Sequence, residues 1–179
     1  EQHVETKEEK LDKISFIIED NAILDNIADS IKDFVSEKVE NTKIEEQNSK
    51  LSLTQLLNSA RQEEQNYNYK AVISLYQNAL TKKDDDNFLK FLPTIYVKLA
   101  EAYKNISDWY EALEYYTQAQ DFYYNASNLD KVAEIKLEIA NIYYIMYKHD
   151  NAKFILNELN NSSDLPNDIK IRVNLGLAK

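Results

Sequence analysis

The sequence predicts an all-α fold of stacked antiparallel helix pairs, an α-solenoid, and three observations carry that prediction. Apolar residues recur at helical spacing through most of the 179 residues, and residues that break helices are scarce, with one Gly and two Pro. Small apolar residues also return at a fixed interval: Ala60, Ala100 and Ala140 lie 40 residues apart. Twelve residues after each comes Val72, Ala112 or Ala152, and seven further on Ala79, Ala119 or Leu159. Such self-similarity marks a solenoid, in which one helix pair cannot bury its apolar face alone and stacks on its neighbours.

The stretch from Pro93 to Tyr124 shows the unit most fully. Tyr96, Leu99, Ala100 and Tyr103 fall at i, i+3, i+4 and i+7, one face of a helix. A break at Asn105 to Asp108 follows, and Trp109, Ala112, Tyr116 and Ala119 open a second stripe. The two stripes approach closely only where small side chains meet, which places Ala100 and Ala112 at the crossing. Upstream, Ser52 caps a helix reaching about Asn66, and residues 67 to 80 form its partner. Lys82 to Asn87, KKDDDN, reads as the loop between pairs. Asp108, Asp130 and Asp150 are placed to begin the later helices, and Leu165-Pro166 stops the chain before a last one.

Charge divides the molecule. Residues 1–50 hold 7 Lys and 14 acids, so most of the net charge of −10 belongs there. Leu11, Ile14 and Ile18 form a short apolar stripe, and Leu24, Ile27, Ala28, Ile31, Phe34 and Val35 a better one, predicting helices near 8–20 and 22–40. This acidic helical segment is expected either to cap the stack or to act as an arm docking elsewhere. The remainder, residues 51–179, divides into units of about 53–92, 93–132 and 133–165, with 166–179 as a partial fourth unit or a capping helix.

Several function classes are disfavoured. An acidic chain without a basic, aromatic-interleaved cluster repels phosphate backbones, so no nucleic-acid partner is expected. No apolar run is long enough to span a bilayer, and without a secretory hydrophobic segment a cytoplasmic location is expected. The absence of Cys removes disulfide and thiol chemistry. The three carboxylates of KKDDDN lack the alternating oxygens, turn Gly and later Glu of a calcium loop. His3 and His149 are the only imidazoles and neither pairs with a nucleophile. Carboxylate pairs such as Glu134 and Glu138 read as solvated surface. No enzyme activity, cofactor or metal site is therefore expected.

The residues at the 40-residue register resemble the tetratricopeptide (TPR) repeat from about Ser52 to the C-terminus. Tyr96, Leu99, Ala100, Tyr103, Ala112, Tyr116 and Ala119 meet its pattern. Ile139, Ala140, Tyr143, Ala152, Leu156 and Leu159 repeat it, with Lys136 where a large residue belongs. Leu56, Ala60, Val72, Tyr76 and Ala79 form a weaker copy, because Ser59 and Glu63 replace a Leu and an aromatic. The period of 40 in place of 34 resembles the long-repeat branch, which includes soluble NSF attachment proteins, kinesin light chains and bacterial peptide-pheromone regulators.

The resemblance implies a right-handed solenoid whose first helices line a concave groove holding a partner's peptide or helix. It implies groove positions at Leu57, Asn58 and Arg61; Val97, Lys98, Glu101 and Lys104; and Leu137, Glu138, Asn141 and Tyr144. A family subtype clamps C-terminal carboxylates with Lys and Asn. Here those positions hold Leu57, Arg61, Lys98, Glu134 and Glu138, and the two acids are expected to repel such a tail. The function implied is a non-catalytic scaffold for a protein or peptide. Two alternatives stand beside it: an assembly subunit using the convex face or N-terminal helices, and a ligand-sensing module of a larger protein.

Overall fold

A computed structural model describes residues 23–39, 42, 47–162 and 165–178, and among them there is no strand. The chain divides into two units, Glu1–Gln47 and Asn48–Lys179. In the first unit a helix, α1, spans residues 23–39. Its Leu24, Ile27, Ile31, Phe34 and Val35 are all at least half exposed. The helix expected near 8–20 lies outside the described residues.

The second unit contains α2 (Leu53–Gln65), α3 (Tyr69–Leu80), α4 (Phe88–Asn105), α5 (Trp109–Asn125), α6 (Leu129–Ile145), α7 (His149–Asn160) and α8 (Asn167–Leu177). Each helix packs on the next, and α8 also packs on α6. The positions predicted at 40-residue intervals are buried. Ala60, Ala100 and Ala140 are at most 1% exposed, and Val72, Ala112, Ala152, Ala79, Ala119 and Leu159 are buried with them.

Burial is organised in three apolar clusters, each made by one helix pair and the helix that follows. The first holds Leu56, Ala60, Val72 and Ala79 with Ile95 and Leu99 of α4. The second holds Ala100, Ala112, Tyr116 and Ala119 with Ile135, Ile139 and Ile142 of α6. The third joins Ala133, Leu137, Ala140, Leu156 and Leu159 to Ile169 and Val173 of α8. Helix α6 thus carries two stripes, each at i, i+4 and i+7, and is covered on two sides. Gly176 lets α8 approach closely, since a Cβ there would meet Leu156 Cδ1 at 3.0 Å.

Four turns share one construction. The αL residues Tyr67, Ser107, Ser127 and Tyr147 (φ 56° to 64°) each follow a helix C-cap. Asn68, Asp108, Asn128 and Lys148 then donate their backbone N–H groups to the carbonyls of Glu63, Tyr103, Tyr123 and Tyr143. This is the Schellman closure, and its second residue already serves as N-cap of the next helix. Asn68, Asp108 and Asn128 accept a backbone N–H three residues on. Ser52 caps α2, as its position predicts, and does so in a capping box with Gln55.

Some boundaries differ from expectation. Pro93 does not open the first helix of the middle pair: α4 begins at Phe88, whose ring is buried in the first cluster, and Pro93 sits in its second turn. Asn128, not Asp130, caps α6, and Asp130 lies in the first turn, where its charge favours the helix N-terminus. Lys148 stands as N-cap of α7 without a side-chain cap, so Asp150 is likewise a first-turn residue.

Candidate functional site

Helices α2, α4, α6 and α8 carry most of a row of charged side chains beside two half-open cavities. One, of about 340 Å³, is lined by Leu57, Arg61, Glu64, Tyr76 and Lys98 among others. The other, of about 520 Å³, is lined by Val97, Glu101, Lys104, Tyr116, Glu138 and Arg172 among others. Three ion pairs along them join charges across helices. Lys98 Nζ lies 3.6 Å from Glu64 of α2 and 2.9 Å from Glu101 of its own helix. Glu138 on α6 accepts from Lys104 of α4 at 2.8 Å on one oxygen, and from Arg172 of α8 at 2.7 Å on the other.

These contacts shape the electrostatics. Burial alone would raise the Glu138 carboxyl, but the bonds and charges of Lys104 and Arg172 outweigh it and hold the group below its ordinary range. Burial likewise opposes the Lys98 ammonium, yet Glu101 and Glu64 together push it upward. The Tyr116 phenol is raised by burial, then by Glu138 and Glu101, and Lys104 Nζ stands 6.0 Å from its ring centre. Tyr76 donates to Glu64 at 3.0 Å, and its phenol too is raised by burial and by that carboxylate.

The predicted groove residues separate. Leu57, Arg61 and Lys98 border the first cavity, and Val97, Glu101, Lys104 and Glu138 the second. Leu137 lines neither: it is 2% exposed, closed in by Ile169 and Val173 of α8 in the third cluster. A residue at that offset points toward the following first helix, so the added α8 removes it from the surface. Asn58 and Asn141 are exposed and border neither cavity. Tyr144 packs edge-on against His149, 5.0 Å between ring centres, beside a separate cavity reaching Leu177.

Glu134 and Glu138 are not bare acids. Lys131 binds Glu134 at 2.6 Å, and two cations share Glu138, so each acid stands beside cations that partly offset its charge. Glu64 and Arg172 escaped the sequence reading, and Tyr116 entered it only as a packing residue. Glu64–Lys98, Lys104–Glu138 and Glu138–Arg172 each join residues 34 apart, whereas the core returns every 40, so a search at the core period passes over them.

Among the described residues no group of three or more His, Asp or Glu side chains is arranged to hold a metal ion. No helix among them is long and apolar enough to cross a membrane. No protein-family model matches the sequence, and no curated protein is found similar to it.

Proposed function

We propose that residues 51–179 form a right-handed solenoid of TPR type, and that the protein is a non-catalytic scaffold. In this reading a peptide or helix of a partner protein lies along α2, α4, α6 and α8. The observation that carries it is the row of cross-paired charges bordering two cavities on those helices. A balanced row of acids and bases favours a partner of defined sequence over a polyanion, because each charge discriminates position while the sum attracts little. The 40-residue register of buried Ala60, Ala100 and Ala140 supports the stacked architecture.

Peptides selected from a random display library against the full chain test this reading. The expected outcome is that they perturb the backbone resonances of Lys98, Lys104 and Glu138. Lys104→Glu and Arg172→Glu should each weaken them about tenfold while helicity is retained. Peptides that perturb only α3, α5 and α7, or that ignore both charge reversals, would overturn it.

One observation favours the assembly-subunit reading: Leu24, Ile27, Ile31 and Phe34 leave a helix-long apolar stripe exposed on α1. If that stripe is the working surface, Ile27→Asp with Ile31→Asp abolishes partner capture while the charge reversals do not.

A further inference from the structure

A third cavity, of about 450 Å³, lies among the end of α5, the start of α6 and the end of α7, and shares no lining residue with the two above. The 40-residue register accounts for it. Where the middle pair has Leu92, Tyr96 and Phe122, the next has Val132, Lys136 and Ser162, all three of which line the cavity. Each is smaller than its counterpart, and Ser162 lies past the end of α7 whereas Phe122 lies within α5, so less side-chain volume is supplied here, and packed interiors do not close such gaps fully. Lys136 does not refill the space. Its ammonium reaches out to the Glu158 carboxylate, leaving only the aliphatic stem against the wall.

The apolar walls include Val132, Ala133 and Leu159, and the rim is acidic. Asp121, Asp130 and Glu158 set three negative charges against the one positive charge of Lys136. The volume falls within the usual range for ligand pockets, about 300–1,000 Å³. We infer that this cavity is a docking site for an aromatic side chain flanked by a basic residue, presented by a peptide segment of a partner protein. The ring takes the space that the smaller side chains leave open, and the neighbouring cation meets the acidic rim. This site stands apart from the proposed groove and does not depend on it.

The test titrates the ¹⁵N-labelled full chain with acetyl-Trp-Arg-amide and, separately, with acetyl-Trp-Glu-amide. The expected result is saturable movement of the Val132, Ala133 and Lys136 amide signals, with the Arg probe binding about tenfold tighter at low salt and the preference shrinking in salt. Lys136→Tyr should abolish the movement by placing a ring in the open space. Asp121→Asn with Asp130→Asn, both at exposed positions where folding is not at stake, should erase the preference for Arg while Trp still binds. Movement confined to other residues, equal affinity for the two probes, or binding undiminished in a folded Lys136→Tyr protein would each overturn the inference.

Discussion

Replacing Glu138 by Gln removes one negative charge and leaves the side-chain shape intact, which isolates the electrostatic link between α4, α6 and α8. Glu138 binds Lys104 at 2.8 Å and Arg172 at 2.7 Å, and the three side chains are 25%, 31% and 45% exposed in that order. At such exposure each pair contributes about 0.5–1 kcal/mol, well short of a buried pair. The substitution should therefore cost about 1–2 kcal/mol near pH 7 at low salt, lowering the thermal midpoint by roughly 3–8 °C. Because the folded carboxyl is held below its ordinary value of 4.5, this stability is present above that value. It is lost as pH falls through the lowered folded value, so parent and variant should converge in acid. Calorimetry or circular dichroism at pH 7 and pH 3, each at 50 mM and 1 M salt, measures this directly. Glu134→Gln is the control: its bond to Lys131 lies within α6 and should contribute under about 0.5 kcal/mol. An undiminished deficit at pH 3, or none at pH 7, would refute the electrostatic reasoning and leave packing as the source.

Three further outcomes are expected. Ala100→Leu forces a larger side chain into the fully buried crossing with Ala112 and should destabilise by about 1–3 kcal/mol in urea unfolding. Ser127→Gly relieves an αL backbone at an exposed turn, a gain of about 1–2 kcal/mol offset by about 0.5–1 of added chain entropy, so denaturation should show a small net stabilisation. Burial raises the phenols of Tyr76, Tyr103, Tyr115 and Tyr116, Tyr103 to about 12, so folded tyrosines keep protons that unfolded ones release. Stability should accordingly fall as pH climbs above about 10, and Tyr103→Phe should lessen that slope, followed by fluorescence.

Residue periodicity alone was enough for the helical class, the pair-forming stripes and the buried register of Ala60, Ala100 and Ala140. These depend on local spacing, which any helix turns into a face. The turns were harder to see. Sequence signals for a Schellman closure look for Gly, and here Tyr67, Ser107, Ser127 and Tyr147 take the αL conformation instead, held there by the helices on either side.

The candidate groove was readable only in part. Lys98, Glu101, Lys104 and Glu138 were found because the repeat resemblance assigns their offsets to the groove. Leu137 was misplaced and Arg172 missed because both depend on α8, whose seat on α6 and α7 comes from Ile169, Val173 and the close approach at Gly176. Which charges pair depends on how separate helices lie against one another, since ion pairing acts through distances of a few ångströms that spacing within one helix does not encode. Packing likewise turned Lys136 from a mismatched repeat residue into the edge of an open cavity.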